Sequence, residues 1–253
     1  MVSRDKAVVV VVAHKSQLTV SERVSFIRCV TVLASHPIVL LCPEGMDVGV
    51  YRDLGGNNFQ VYRVPREALE SRQSYNRLKS QSQFYKLFRD FEYLLTYELD
   101  AYVFDDQLVY WCDQGYDYIG APWFDKVRRT EKEGKRYKNL KTFRGAGNSG
   151  FSLRNVQACL RALKELEKRP QVRHRHEDLF WCRVVPEFTT FNVAAPEEAL
   201  RFSFEVQPGY LYKLNNYRLP FGCHAWRRRG PKFWREHIDF EDEAAARTLS
   251  TGN

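Results

Sequence analysis

The chain has 253 residues, of which 44% are hydrophobic and 28% are charged. This composition is typical of a soluble globular protein and excludes disordered, collagen-like and coiled-coil chains. The longest apolar run, residues 7–13, is about one strand long and far short of the roughly 20 residues that a membrane span needs. No small-residue cleavage site follows it, so we expect neither a signal peptide nor a membrane span.

Basic charge is concentrated in two segments. The chain has 39 lysines and arginines against 31 acids, a net charge of +8. Residues 126–144 carry +7 and residues 227–235 carry +5, so the remainder of the chain has a net charge of −4. Such patches bind phosphates, anionic lipid heads or nucleic acid, but a solvated loop and a solvated tail explain them equally well.

The six cysteines indicate a reducing compartment. None of them are spaced as Cys-x-x-Cys, and four lie within apolar segments. Buried, reduced thiols in a cytoplasmic protein fit this pattern better than disulfides or a zinc site.

Strands and helices are predicted to alternate in the first half of the chain. Hydrophobic periodicity gives strand 7–13, helix 19–35 with Thr19 or Ser21 as its N-cap, strand 37–42, strand 59–64, helix 74–88 and strand 93–97. Such alternation is typical of parallel strands joined by right-handed crossovers in an α/β fold. No G-x-G-x-x-G or P-loop motif follows the first strand, so the usual phosphate cradles are missing.

The second half is predicted to be less regular. Its elements are a short helix at 107–113, a short strand at 118–121, a Gly-rich turn at 145–150 entering a strand, a helix at 155–167, a helix starting in 176–185, a short helix at 197–200 and a strand at 202–205. Residues 126–144 are predicted to form a mobile surface loop. No repeat or linker divides the chain, so we expect one domain over 1–240 and a tail over 241–253.

Two carboxylates follow the strand at 93–97. Glu98 and Asp100 are two residues apart, and side chains at positions i and i+2 of an extended chain point the same way. Ligands of open α/β sheets bind at the carboxyl ends of the strands. Convergent carboxylates there suit Mg²⁺ or Mn²⁺ bridging to phosphates, although a polar strand end explains them as well.

Three further motifs could carry chemistry. Glu177 and Asp178 begin an apolar helix, where acids cap the helix dipole or supply a general base. His224 lies in a loop rich in proline, glycine and aromatic residues. Its role is either that of a ligand or that of a packed core histidine. Glycines at 145–150 allow close approach to a ligand or simply form a hairpin turn.

Together these motifs resemble GT-A fold glycosyltransferases. A more specific resemblance is to a bacterial family of uncharacterised glycosyltransferase-like domains. The segments that carry it are 75–78, 97–101, 115–123, 147–154, 177–178 and 219–226. The resemblance runs from about Val8 to Trp234, which is nearly the whole chain. The strings Asp-Tyr-Ile-Gly-Ala-Pro-Trp and Pro-Phe-Gly-Cys-His-Ala-Trp are long enough to be specific.

The resemblance implies a mixed, mostly parallel sheet flanked by helices and a metal-dependent hexosyltransferase. The implied ligands of Mn²⁺ or Mg²⁺ are Asp100, His224 and Glu98, and Glu98 departs from the usual Asp-x-Asp motif. Asp178 is the implied base of an inverting reaction, and Glu177 is implied to bind a hydroxyl of the donor or acceptor.

The resemblance also implies a nucleotide-binding half at 1–106 and an acceptor-binding half at 107–240. The residues implied to bind the donor are Ala13, His14, Lys15, Arg77, Lys79, Glu98, Leu99, Asp100, Gly147 and Asn148. Segment 126–144 would be a lid.

The implied partners are a UDP-sugar and a glycan or lipid-linked glycan acceptor, with no nucleic acid expected. Segment 227–235 suits the inner face of a membrane or phosphate contact within the donor site.

Two other functions use the same residues. A metal-dependent phosphoryl or nucleotidyl transferase needs the same carboxylates and basic groups. A non-catalytic module that binds anionic surfaces needs only the two basic patches, and its binding would fall steeply with salt.

Overall fold

The computed structural model describes residues 6–124, 143–169 and 176–238. Segment 126–144 lies outside the described residues except for its last two positions, and so does the tail at 241–253. The predicted mobile loop, the lid and the tail therefore concern residues that are not described. Within the described part of the chain, no helix combines the length and apolar character needed to cross a membrane.

Nine strands and eleven α-helices are found in the described residues. The strands are β1 (Ala7–Val12), β2 (Ile38–Pro43), β3 (Gln60–Val64), β4 (Tyr93–Glu98), β5 (Ala101–Val103), β6 (Tyr118–Phe124), β7 (Phe143–Asn155), β8 (Ser203–Phe204) and β9 (Gly222–His224). The helices are α1 (Val20–Val32), α2 (Gly49–Gly55), α3 (Arg72–Leu78), α4 (Ser82–Lys86), α5 (Leu108–Asp113), α6 (Val156–Leu166), α7 (Glu177–Leu179), α8 (Val185–Phe188), α9 (Pro196–Phe202), α10 (Pro208–Leu214) and α11 (Pro231–Trp234).

The main sheet has six strands in the order β3-β2-β1-β4-β7-β6. Its first four strands are parallel, and β7 runs antiparallel to both β4 and β6. The predicted mixed, mostly parallel sheet flanked by helices is therefore confirmed. The parallel order puts the ends of β1 and β4 side by side, with Val12 paired to Glu98.

A second sheet of three strands has the order β5-β9-β8. Strand β5 pairs antiparallel with β9, and Ala101 is opposite His224 in the register. The strand that follows the two carboxylates is thus joined directly to the strand that ends in the histidine. This short sheet builds the candidate site from segments that are distant in sequence.

Both faces of the main sheet are buried. Val9 and Val11 of β1 pack in the core cluster that includes Phe26 of α1, whereas Val8 and Val10 pack in the opposite cluster. Burial on both faces explains why the parallel strands read as continuous apolar runs. Helix α1 begins at Thr19, whose side chain forms a capping box with Glu22, so the first of the two predicted N-caps is correct.

The single helix predicted at 74–88 is two helices, α3 and α4. The interruption coincides with the backbone carbonyl of Lys79, which accepts hydrogen bonds from the Tyr85 hydroxyl at 2.8 Å and from the Trp181 indole at 3.0 Å. These side chains satisfy a carbonyl that a continuous helix would bind internally. The helical periodicity of the sequence does not indicate these two side-chain hydrogen bonds.

The Gly-rich segment at 145–150 is part of β7 and is not a turn. Strand β6 extends to Phe124 opposite it, with register shifts after Gly120 and after Ala121. A Cβ at Gly120 would lie 2.2 Å from the Asn148 carbonyl oxygen. Glycine here allows the backbones of β6 and β7 to approach closely. Close backbone approach is the second common role of glycine besides forming turns.

The helix predicted from 176 is also irregular. Helix α7 passes into one π-helical turn, Phe180–Val184, and then into α8, which has a proline in its first turn. Helix α2 and the helices after 207 were not predicted, because their apolar residues are sparse or mainly aromatic and show no clear helical period.

We predict that Gly222→Ala lowers the free energy of unfolding by about 1–3 kcal/mol, the usual cost of overpacking a core. A Cβ at position 222 would lie 2.4 Å from the ring of Phe151, which is fully buried. Chemical denaturation measures the change. Gly209→Ala is the control, because its nearest neighbour would lie at an ordinary 3.6 Å, and equal stability of the two variants would contradict this packing.

Candidate functional site

Three potential metal ligands converge at the ends of β4 and β9. Glu98, Asp100 and His224 each offer one ligand atom, and these atoms lie within 4.8 Å of one another. The His224 Nε2 atom is 3.0 Å from Asp100 Oδ1 and 3.3 Å from Glu98 Oε2. The structure therefore brings together the three residues that the family resemblance implied as metal ligands.

A glycine of β7 makes room for the histidine. A Cβ at Gly150 would lie 2.2 Å from His224 Nε2, so any larger residue would displace the imidazole ring. Gly222, at the start of β9, meets Phe151 in the same way. The Gly-rich motif thus shapes the site by seating His224 against the sheet.

A third carboxylate lies on the other side of the histidine. Glu205 Oε1 is 3.7 Å from His224 Nδ1, and both side chains are buried. Burial alone would lower the pKa of His224, but the carboxylates of Asp100, Glu205 and Glu98 raise it well above its ordinary value. Neither ring nitrogen makes a well-directed hydrogen bond to these neighbours.

Cations balance the two carboxylates of the cluster. Lys79 Nζ lies 3.4 Å from Glu98 Oε1, and Arg228 donates a 2.6 Å hydrogen bond to Asp100 Oδ2. Burial opposes ionisation of Glu98, but Lys79 and His224 outweigh it and hold the pKa of Glu98 far below its ordinary value. In the same way, His224 and Arg228 lower the pKa of Asp100 against the effect of burial.

A buried chain of charges extends from the cluster into the core. Lys79 Nζ lies 3.2 Å from Glu177 Oε2 and donates to Ser149 Oγ at 2.9 Å. The other oxygen of Glu177 lies 2.5 Å from Arg154, which also donates to the Tyr85 hydroxyl. Because Lys79, Glu177 and Arg154 have no exposed surface, each charge needs its partner.

Asp178 is half-buried at the start of α7. Its Oδ1 accepts a 2.9 Å hydrogen bond from the backbone amide of Leu179. Burial, and then the negative charge of Glu177, raise the pKa of Asp178 above its ordinary value. The pKa of Glu177 shifts in the opposite direction, because Arg154 and Lys79 outweigh the effect of burial and lower it.

A cleft of about 550 Å³ opens beside the cluster, at the carboxyl ends of β1 and β4. Its lining residues are Val12, His14, Thr19, Ser21, Glu22, Leu69, Glu70, Ser71, Arg72, Tyr75, Glu98, Leu99, Asp100, Arg227 and Arg228. An acidic floor and arginines on the wall face the same space. Such a surface suits a ligand that carries both a cation and an anionic group.

Of the residues predicted to bind the donor, four line this cleft: His14, Glu98, Leu99 and Asp100. The other six described residues of that set do not line it. Ala13 and Lys79 are buried, Lys15 pairs with Glu22 at 2.8 Å, and Arg77 is exposed.

Gly147 and Asn148, the other two, have structural contacts in β7. The Gly147 carbonyl accepts a 2.7 Å hydrogen bond from the Tyr118 hydroxyl, and Asn148 Oδ1 accepts one from the amide of Gly150.

Several residues of the site were not singled out from the sequence. Arg72 is the first residue of α3, and nothing in the sequence distinguishes it from other exposed arginines. Glu205 follows a strand of only two residues. Tyr75 belongs to a segment that carried the family resemblance, and its buried hydroxyl has no hydrogen-bond partner. Arg227 and Arg228 lie in the second basic segment, and both line the cleft.

The three candidate ligands, Glu98, Asp100 and His224, fit a divalent cation. Two carboxylates and one imidazole form a mixed oxygen and nitrogen set, which transition metals such as Mn²⁺ accept more readily than Ca²⁺ does. A carboxylate behind the second ring nitrogen, as Glu205 lies behind His224, is the usual support of a metal-bound histidine. The buried Nε2 of His224 makes no well-directed hydrogen bond to the residues described around it, so its lone pair is available to a cation.

The sheet order and the cleft at the strand ends define the GT-A fold. The chain resembles the galactosyltransferase LgtC, solved in complex with donor and acceptor sugar analogues, with 18% identity, 94% of this chain and 95% of that chain covered, and a TM-score of 0.55. It also resembles core-mannan synthase A from Aspergillus fumigatus in its Mn/GDP form, with 10% identity, 66% and 65% coverage and a TM-score of 0.42. The same comparison finds a glycosyltransferase involved in glycosylation of the major capsid of PBCV-1, with 12% identity, 96% and 99% coverage and a TM-score of 0.44.

The chain belongs to the family described as a protein of unknown function (DUF5672), whose sequence profile matches residues 58–224. That match includes the two carboxylates, the acidic pair at the start of α7 and the histidine that ends β9. None of the curated proteins compared with the chain matches it.

We predict that Asp178→Asn raises the melting temperature at pH 7. A raised pKa means that the folded state holds the Asp178 proton more tightly than the unfolded chain, so ionisation at neutral pH destabilises the fold. Asparagine removes that charge and keeps an oxygen for the Leu179 amide. Melting curves from pH 7 downward should show the gain shrinking as the pH approaches about 4, near the unfolded pKa of aspartate.

The control for this prediction is Asp53→Asn, which changes an exposed aspartate of α2. A lower melting temperature for Asp178→Asn than for the parent at pH 7 would contradict the unfavourable charge.

Proposed function

We propose that the protein is a metal-dependent glycosyltransferase that transfers a hexose from a nucleotide sugar to a hydroxyl of a glycan or glycolipid. The observation that carries this proposal is the convergence of Glu98, Asp100 and His224 on a cleft at the carboxyl ends of β1 and β4. The GT-A fold and the order of the motifs along the chain support it.

Asp100 and His224 are the proposed ligands of Mn²⁺ or Mg²⁺, with Glu98 as a further ligand or a contact to a bound water. A cation held there would supply Lewis-acid stabilisation of the departing diphosphate. Glu205 orients the imidazole through its other ring nitrogen, and Lys79 holds the second oxygen of Glu98 away from the cluster.

The cleft walls offer contacts for the rest of the donor. Arg72, Arg227 and Arg228 present guanidinium groups, which bind phosphate oxygens well because they donate in a planar fork. Val12 and Leu69 add apolar surface next to the Tyr75 ring, a combination that accommodates a nucleobase. UDP is the nucleotide that we propose, on the strength of the family resemblance.

Asp178 is the proposed general base. A carboxylate with a raised pKa is a stronger base at neutral pH than an ordinary aspartate. It accepts the proton of the acceptor hydroxyl, whose oxygen bonds to the anomeric carbon as the bond to the diphosphate breaks. Attack from the face opposite the diphosphate inverts the anomeric centre. Glu177, buried between Lys79 and Arg154, is the part of this pair that fixes the start of α7.

The second basic segment supports our proposal for the acceptor and the cellular setting. Arg229, Lys232 and Arg235 are exposed beside the cleft-lining Arg227 and Arg228. We propose a bacterial, cytoplasmic enzyme that meets a lipid-linked glycan at the inner face of the membrane. Its donor is bound mainly by residues of 1–106 and its acceptor by residues of 107–240.

The first test is nucleotide binding with and without a cation. We expect UDP or a UDP-sugar to raise the melting temperature only when Mn²⁺ or Mg²⁺ is present, because ligands of the native state stabilise it by mass action. Asp100→Asn should abolish the shift, since it removes a proposed ligand. The matched control is Asp105→Asn, an exposed carboxylate that lies away from the cleft lining.

The outcomes separate the rival functions. A metal-dependent shift that survives Asp100→Asn would refute the proposed ligands. Release of nucleoside monophosphate without sugar transfer would favour a phosphoryl or nucleotidyl transferase. Binding of anionic vesicles or RNA without any nucleotide shift would favour the surface-binding module.

A second test addresses Asp178. We expect Asp178→Asn to keep the metal-dependent nucleotide affinity within about twofold and to lower sugar transfer by about 10²–10⁴-fold, the usual contribution of a general base. Release of sugar from the donor, to water or to an added acceptor, is measured for the variant and its parent. Unchanged turnover would remove Asp178 as the base.

A further inference from the structure

The Arg228 guanidinium is hydrogen-bonded to Asp100, the carboxylate that a cation would need. Asp100 uses Oδ1 to face His224 Nε2 at 3.0 Å and Oδ2 to accept from Arg228 at 2.6 Å. Both oxygens of the proposed ligand are therefore engaged. A second positive charge at Asp100 Oδ2 would be repelled at short range by the guanidinium.

The backbone of Arg228 is held by hydrogen bonds, whereas its side chain is mostly exposed. Its amide and that of Arg229 both donate to the Ala225 carbonyl, and the Trp234 indole donates to the Arg229 carbonyl. Gly230 ends this turn at a φ of 77°, where glycine is favoured. The Arg228 side chain itself is 63% exposed, and Asp100 is the one partner recorded for it in the described residues.

The same side chain lines the cleft together with Arg227. A guanidinium at this point can reach the carboxylate floor or an anion held above that floor, but one set of N–H groups cannot satisfy both fully. An anion held above the floor would therefore compete with Asp100 for this guanidinium.

We propose that Arg228 competes with the divalent cation for Asp100 in the empty cleft and transfers to the diphosphate when the nucleotide binds. This inference rests on the proposed function. The protein then binds the cation weakly by itself, and binds cation and nucleoside diphosphate cooperatively. Linkage makes the coupling reciprocal, so the nucleotide raises the affinity for the cation by the same factor that the cation raises the affinity for the nucleotide.

The experiment measures Mn²⁺ alone and Mn²⁺ with UDP, using the electron paramagnetic resonance signal of free Mn²⁺ and calorimetry. GDP, CDP and ADP are run in parallel. The variant is Arg228→Gln, which removes the charge, and Arg228→Lys retains the charge without the planar fork. Arg229→Gln is the control, because Arg229 is also exposed but does not line the cleft.

Two opposite changes are expected for Arg228→Gln. Its affinity for Mn²⁺ alone should increase about threefold or more, because a partly exposed ion pair no longer competes. Its affinity for UDP in saturating Mn²⁺ should fall about tenfold, the usual loss of a hydrogen bond to a charged group. Arg229→Gln should match the parent in both measurements, and Arg228→Lys should lie between.

The result that would overturn the inference is an Arg228→Gln protein with unchanged or weaker affinity for Mn²⁺ alone, or with unchanged affinity for UDP and Mn²⁺ together. In that case a parent protein that still binds UDP only with Mn²⁺ leaves the proposed function standing. A parent that binds none of the four nucleotides with any cation refutes the proposed function, and this inference with it.

Discussion

The pairing of β5 with β9 is the constraint on which the candidate site depends. It sets Ala101 opposite His224, so residues from the middle and the end of the described chain meet within hydrogen-bond range of Asp100. The main sheet alone provides only the two carboxylates at the end of β4. The short second sheet supplies the imidazole, with Gly150 of β7 leaving space for the ring. A cation site here therefore requires the whole fold, because each sheet contributes only some of the ligands.

Buried charge is the second organising feature. Lys79, Glu177 and Arg154 are all fully buried, and removing any one would leave an uncompensated charge in a medium of low dielectric constant. The chain they form reaches from Glu98 at the cleft to the start of α7. It therefore fixes the acidic pair at 177–178 relative to the cluster. Hydrophobic packing alone would leave that relation loosely defined, because apolar contacts carry no direction.

The parallel half of the fold could be predicted from the sequence because its strands are buried on both faces and read as continuous apolar runs. Glu98, Asp100 and His224 could be proposed as one site only because the motifs that contain them resemble those of GT-A glycosyltransferases. The residues that support them could not. Arg154 occupies an alternating strand position with nothing to distinguish it, and Glu205 follows a two-residue strand. Such roles arise from pairings between distant segments, which local periodicity does not encode.

The same buried charges explain why a glutamate side chain suits position 98. Its two oxygens lie 3.4 Å from Lys79 Nζ and 3.3 Å from His224 Nε2, so one carboxylate bridges the buried cation and the histidine. An aspartate is one methylene shorter, and from the same backbone its carboxyl would fall short of one of these partners. Lys79 would then depend on Glu177 alone among the carboxylates described around it. The longer glutamate side chain therefore allows one carboxylate to contact both the buried lysine and the histidine.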